Sequence, residues 1–327
     1  MTDVVVIGAG KRVKGAILPA LWCLRERFRL AAVCSRSSAE LLYGPDLVHT
    51  TTDWERVRFD GALIIVAVTL EQVPAVLARI DAPNAILLVD TPVFPLRRMV
   101  AARRFSAFKR VLVSEDNVAL PPLLLARSLI ASGELGALRR IFFFHNGYKF
   151  HALAGLRVLT GGAALRSIVN RKFHGLRQKT ISLVGGVTAV MYEPRDYAVG
   201  KFMIECEGGT IADYDHADPP RHRIGYELDG PRYRGLTLDG TSVPAEPLDV
   251  AYRQLDGIEV FGATPMNTMK LRGLMDVITG AVEPTSPFHY QPSQAIADAL
   301  AIKLADRVGY APFPNFLERI VRLMDRP

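Results

Sequence analysis

Val4-Val5-Val6-Ile7-Gly8-Ala9-Gly10 opens the chain, and one helix-length later comes Leu30-Ala31-Ala32-Val33-Cys34-Ser35-Arg36-Ser37. A β-branched apolar run that meets Gly-x-Gly reads as a buried strand entering a tight turn, where absent side chains let a diphosphate approach backbone N–H groups at a helix N-terminus. The second run reads as the neighbouring strand, whose tip lies beside the adenosine ribose of a dinucleotide. A carboxylate there would accept from the ribose 2′-OH and repel a 2′-phosphate; the tip instead reads Ser35-Arg36-Ser37, which suits NADP(H). The fingerprint is imperfect, because the position of the third glycine holds Val13 and the next glycine is Gly15. Lys11, Arg12 and Lys14 add positive charge to the turn, unfavourable at a helix start unless an anion docks there. Gly8, Gly10, Lys11, Arg12, Val13, Ser35, Arg36, Ser37 and, at the end of a later strand, Val68 are therefore the expected cofactor residues.

The 327 residues suffice for two domains, and 49% hydrophobic with 22% charged residues describes a globular chain without a run of about 20 apolar residues that could cross a bilayer. No secretory leader is read, since Asp3 precedes an apolar run that ends in glycines, and a cytoplasmic location is expected. Cys23, Cys34 and Cys206 are widely spaced, as reduced structural thiols would be. The net charge of +7 is local: residues 135–192 contain nine cations and no carboxylate. Such a stretch suggests one anionic ligand, or else a solvated basic face; no nucleic-acid motif accompanies it, so no nucleic-acid partner is expected. His216 and His222 among Asp213, Asp215 and Asp218 superficially suggest metal ligands, but turn chemistry explains those aspartates and no metal is expected.

Apolar strands over residues 61–68, 85–89 and 110–114 alternate with helices over 15–27, 71–80 and 121–132, which predicts a doubly wound parallel sheet covered on both faces. Beyond about residue 137 the texture changes to strands over 139–144, 179–192, 199–207, 210–214 and 224–228 joined by Gly, Pro and Asp turns. The reading is an α/β chain: residues 1–120 form the nucleotide domain, 121–292 an α+β domain with an open, mainly antiparallel sheet, and 293–327 are helices packing back on the first domain.

Gly8-Ala9-Gly10 with Leu18-Pro19-Ala20-Leu21, Ala32-Val33-Cys34-Ser35-Arg36, Ile86-Leu87-Leu88-Val89-Asp90-Thr91-Pro92, and Asn117-Val118-Ala119-Leu120-Pro121 with Leu129-Ile130-Ala131-Ser132-Gly133-Glu134-Leu135-Gly136 resemble the glucose-fructose oxidoreductase and inositol dehydrogenase family. That resemblance implies a Rossmann domain followed by an open antiparallel sheet, NAD(P)-dependent redox chemistry in the cleft between them, and a homodimer or homotetramer built on the sheet's outer face. The departures fall on the chemistry. Where the family carries Glu-Lys-Pro, this chain has Asp90-Thr91-Pro92; Asp90 and Pro92 can keep the loop at the cofactor, but Thr91 supplies no ammonium to a substrate. In the family's second signature only His151, Arg157 and Gly161 match, and Ala154 stands where an aspartate is usual.

His151, Lys149 and Tyr148 are thus the candidate proton donors, with Thr91 and Arg157 the candidate substrate contacts, Arg157 pinning a carboxylate or phosphate or, equally, a backbone carbonyl. The expected activity is NADPH-dependent reduction of a small anionic carbonyl or imine in biosynthetic or secondary metabolism. A protonated imine is already electrophilic and needs less from the protein. The alternatives are a nucleotide-binding protein without redox activity, serving as sensor or structural partner, and a sugar or polyol dehydrogenase with a rearranged site.

Overall fold

The computed structural model describes residues 1–91, 93, 103–145, 149–194, 201–214, 218–230, 232–244, 264–283, 289–312 and 314–324. Five strands form the first sheet: β1 (Thr2–Ile7), β2 (Phe28–Cys34), β5 (Leu63–Val66), β6 (Ala82–Asp90) and β7 (Phe108–Ser114), all parallel in the order β2-β1-β5-β6-β7. Their apolar runs are explained by burial on both faces: Val4 and Val6 join one apolar cluster, Val5 and Ile7 the other. A short antiparallel hairpin, β3 (Glu40–Tyr43) and β4 (Asp46–His49), intervenes between β2 and β5, and Thr51 makes one parallel bridge to Cys34 at the sheet's outer edge. The first helix begins with a π-helical turn, Val13–Ile17, and continues as α1 (Leu18–Cys23). Val13 is fully buried in that turn. A widened turn is the local adjustment that accompanies a valine where a third glycine was expected.

Ten strands form the second sheet, in the order β16-β15-β14-β13-β12-β8-β11-β10-β9-β17. They are β8 (Leu138–Phe144), β9 (Leu165–Phe173), β10 (Leu176–Leu183), β11 (Thr188–Glu193), β12 (Lys201–Cys206), β13 (Gly209–Ala212), β14 (His222–Asp229), β15 (Arg232–Leu238), β16 (Thr241–Ser242) and β17 (Tyr310–Pro312). All pairings are antiparallel except β8 with β11 and β13 with β14. The run read as one strand over 179–192 is two, broken where Gly185 and Gly186 adopt φ of +98° and +89°. Helices α2 (Val73–Ala78) and α3 (Pro121–Ala131) belong to the first half of the chain; α4 (Lys149–Leu159), α5 (Pro265–Val282), α6 (Pro292–Val308) and α7 (Pro314–Met324) follow. Helix α5 is the bridge: it packs on α1, β6 and β7 of the first domain and on β15 of the second. Helix α6, expected to lie back on the first domain, packs mainly on α4, α7, β9 and β17; it also meets β7, and its Ala295 and Ile296 join the apolar cluster of the first domain.

Four cations of the basic stretch 135–192 find carboxylate partners in the fold. Arg139 pairs with Glu207 and Arg140 with Glu205 across neighbouring strands. Lys179 is fully buried, 2.6 Å from Glu193 Oε2 and 3.0 Å from Asp306 Oδ1. Arg157 is also buried: it donates from Nε and Nη2 to the two carboxylate oxygens of Asp298, both at 2.8 Å, and from Nη2 to Glu318 at 2.9 Å. Arg157 is therefore not a substrate contact; it locks α4 to α6 and α7. Arg157 with Asp298 and Glu318, and Lys179 with Asp306, join residues over 100 positions apart, so a local charge count could not see them.

Between the sheet and α4 and α5 lies a small cavity of about 20 Å3, lined among others by Asn117, Phe143, His151, Phe202, Tyr226 and Met266. Behind it, Tyr226 donates its hydroxyl to Asp213 Oδ2 at 2.6 Å and the Phe202 amide donates to Oδ1 at 2.5 Å. Burial pushes the Asp213 carboxyl up to about 7, against those hydrogen bonds. A carboxyl with a raised folded-state pKa binds its proton more tightly folded than unfolded, so its contribution to stability falls as pH rises from about 4 towards 7. Asp213→Asn is expected to abolish that component. Urea denaturation at pH 5 and pH 8 checks it, and an unchanged pH dependence in the variant counts against the assignment.

Candidate functional site

The carboxyl ends of β1 and β5 diverge around the glycine turn, the switch point where open α/β sheets bind ligands. Gly8 holds φ at +129°, and a Cβ there would sit 2.2 Å from the Ala67 carbonyl oxygen, so the turn and the start of the β5 loop touch backbone to backbone. An added Cβ at Gly10 meets no protein atom within 4 Å, yet Gly10 lines the cleft; its bareness serves whatever occupies that space. The cleft has a volume of about 520 Å3 and takes in Gly8, Gly10, Ser35, Arg36, Ser37 and Val68, as expected from sequence. A site of that size and backbone exposure fits a dinucleotide.

Three expected cofactor residues behave differently. Val13 is buried behind Gly8, its Cγ2 3.5 Å from where a Gly8 Cβ would lie, and supports the turn without lining the cleft. Ser35 directs its hydroxyl to Thr50 Oγ1 at 3.0 Å and to the Ser37 carbonyl, stiffening the tip of β2. Arg12 turns away from the open loop to Asp116 Oδ2 at 2.9 Å, with its Nε 3.5 Å from Asp90 Oδ1. Lys11 and Lys14 are exposed, and they remain the cations on the outside of the turn.

At the ends of β6 and β7 lies the second half of the site. Asp116 follows β7 in a buried turn of Asp116–Ala119, against which α5 presses closely: a Cβ on Gly273 would be 2.6 Å from the Asp116 carbonyl oxygen. One turn earlier on α5, Lys270 brings its Nζ to 3.8 Å from Asp116 Oδ1. Burial opposes ionisation of Asp116, but Lys270 and Arg12 outweigh it and hold the carboxyl well below the usual range. Asp90 goes the other way. Burial pushes it up to about 6; Arg12 opposes the rise, and the negative charges of Asp116 and Glu115 add to it.

Glu115 is the hub. Its Oε1 accepts from the amide of Asn117 at 3.1 Å and from Asn117 Nδ2 at 2.7 Å; its Oε2 accepts from Thr91 Oγ1 at 2.9 Å and lies 2.7 Å from His151 Nδ1. Burial pushes this carboxyl up, but His151 and Asn117 prevail and leave it below the ordinary glutamate value. An ionised carboxylate only accepts, so His151 Nδ1 carries the hydrogen and Nε2 becomes the nitrogen that exchanges a proton. His151 is 24% exposed and lines the small cavity beside Asn117, outside the glycine-turn cleft, whereas Glu115 is fully buried.

Of this cluster the sequence reading named His151, Thr91, Asp90 and Arg12, but not Glu115, Asp116, Asn117 or Lys270. Thr91, expected to contact substrate, instead gives its hydroxyl to Glu115. Lys149 opens α4 with φ +47°, and its backbone amide donates to Glu193 Oε1 at 3.2 Å. Tyr148 and Pro92 lie outside the described residues. Among the described residues no group of three or more His, Cys, Asp or Glu is placed to hold a metal ion, and no helix is long and apolar enough to cross a membrane.

No protein-family model and no curated protein matches the sequence. Solved structures do match in fold. A candidate myo-inositol dehydrogenase from Sinorhizobium meliloti 1021 superposes with a TM-score of 0.61 at 13% identity, covering 94% of this chain and 97% of that one. An oxidoreductase from Agrobacterium radiobacter in complex with NAD+, L-tartaric acid and magnesium gives 0.62 at 12% identity, covering 96% and 99%. The super-repressor mutant of Gal80p from Saccharomyces cerevisiae gives 0.60 at 14% identity, covering 97% and 99%. Nearly the whole of each chain is shared at this low identity, so what these proteins have in common with the present chain is architecture. The chain has the two-domain fold of the inositol dehydrogenase type, a five-stranded parallel nucleotide domain followed by an open, mainly antiparallel sheet.

Proposed function

We propose that this chain is an NADPH-dependent reductase of a small carbonyl or imine, with His151 as its proton donor. The single observation that carries the reading is the Glu115–His151 pair, set at the carboxyl ends of β6 and β7 beside the glycine turn. A reduced nicotinamide, when bound, supplies the hydride. Gly8 and Gly10 open the backbone to the diphosphate, and Arg36 with Ser37 favours a 2′-phosphate at the ribose. Glu115 holds His151 in one tautomer, so that Nε2 is the atom that delivers a proton to the substrate heteroatom.

An imine suits this site better than a ketone. No lysine stands at Thr91 to polarise a carbonyl, whereas an imine nitrogen that takes the His151 proton is activated before hydride reaches carbon, and hydride addition then gives the neutral amine. The idea of an anionic substrate loses the support of Arg157, and of Arg139, Arg140 and Lys179 in the basic stretch, which pair within the fold. A reductive step of biosynthetic or secondary metabolism fits the use of NADPH. Fluorescence titration with NADPH followed by an assay of cyclic and acyclic imines and ketones tests the reading. NADPH oxidation with at least one imine is expected; binding without oxidation across the panel overturns the reductase and favours a nucleotide-binding protein without redox activity.

The outer face of the second sheet supports self-association. Phe142, Phe144 and Tyr192 stack there at centroid spacings of 5.8 and 5.7 Å and are half-exposed. A homodimer or homotetramer is expected by sedimentation, and a monomer at micromolar concentration counts against it.

A further inference from the structure

The far end of the glycine-turn cleft holds a second arginine, 43 positions from the first. The turn Leu70–Gln72 and helix α2 present Gln72, Ala75, Val76 and Arg79 to the cleft at helical spacing. The Arg79 guanidinium lies over the indole of Trp54, 4.1 Å from the ring centroid. Trp54 is itself nearly buried, and its Nε1 donates to the Ser35 carbonyl at 3.4 Å, so the platform is tied to the tip of β2. Stacking uses the face of a guanidinium and leaves its in-plane N–H groups directed outward. Arg36 is held differently: in the amide orientation that satisfies both ends of Gln72, the Gln72 oxygen accepts from Arg36 Nη1 at 2.6 Å and Nη2 at 3.1 Å. Of the two arginines, Arg79 therefore keeps the larger set of donors for a ligand. Among the described residues no Asp or Glu lines the cleft to neutralise either one. Two fixed guanidiniums at the same end of a cavity repel each other until an anion comes between them.

We propose that Arg79 is the second half of a clamp for the 2′-phosphate and the residue that sets the preference for NADPH over NADH. The inference rests on the reading of this cleft as a dinucleotide site. Arg36 and Arg79 bind the phosphate dianion from two elements, and Trp54 keeps Arg79 from swinging into solvent. The residue is invisible to the usual inspection of the β2 tip, because it lies on the helix after β5.

The test uses the full chain and two adenosine fragments, 2′-phosphoadenosine 5′-phosphate and adenosine 5′-diphosphate, measured by titration calorimetry on the wild type, Arg79→Ala and Arg79→Lys. Loss of a charge-assisted phosphate contact is expected to weaken the 2′-phosphorylated fragment by about 10- to 100-fold in Arg79→Ala while changing adenosine 5′-diphosphate by less than about 3-fold. Arg79→Lys is expected to fall between wild type and alanine, because a point charge replaces the fork. Arg79 is exposed and outside both apolar clusters, so the variants fold, and their melting curves verify it. Equal effects on both fragments, or none, overturn the role of Arg79. A wild type that binds both fragments alike overturns the NADPH preference itself, and a wild type that discriminates while Arg79→Ala still discriminates as well overturns only the clamp.

Discussion

Replacing His151 by alanine is expected to lower turnover by about 100- to 10,000-fold while leaving NADPH affinity within about 2-fold, the range by which a positioned acid or base accelerates a proton transfer. The effect follows from one contact. His151 is fixed by Glu115 at 2.7 Å and sits outside the glycine-turn cleft, so its loss removes proton delivery and spares the cofactor. Glu115→Gln tests the same pair from its other side. Four donors converge on the Glu115 oxygens, and an amide can face only two of them with an acceptor; the other two then meet an N–H group. The imidazole then loses the anionic partner that orients it, so kcat is expected to fall while NADPH affinity is kept. Steady-state turnover and NADPH titration of wild type and both variants measure this. Wild-type turnover in His151→Ala or in Glu115→Gln removes the pair from the mechanism.

The second large effect is on stability. Arg157→Met is expected to destabilise the protein by about 3–5 kcal/mol, because Asp298 and Glu318 are left as buried charges without their counter-ion. Burial alone would discharge the guanidinium, yet pairing with Asp298, reinforced by Glu318, pushes its pKa upward. The triple variant with Asp298→Asn and Glu318→Gln is expected to recover much of the loss, since the same volume is then free of unpaired charge. Urea midpoints compare the three proteins. A loss below about 1 kcal/mol in Arg157→Met would show the pairing to be dispensable.

Much of the first domain was legible because its strands are buried on both faces and carry unbroken apolar runs. Strand β9 escaped notice because Arg166, Arg171 and Lys172 interrupt its pattern. The site was half legible. His151 stood out by type, but its partner Glu115 lies in Ser114-Glu115-Asp116-Asn117, a polar turn that sequence alone gives no reason to bury. Lys270 escaped because its cation reaches the site from a helix more than 150 residues along the chain from Asp116. Arg157 misled for a related reason: an arginine two turns past His151 looks poised for a ligand until folding brings Asp298 and Glu318 around it.

Glu115 and His151 come from different domains, joined at a single 2.7 Å contact. The pair is therefore assembled rather than resident: it exists only where the turn after β7 meets the start of α4, so a substitution that loosens that seam disorients the imidazole without touching it.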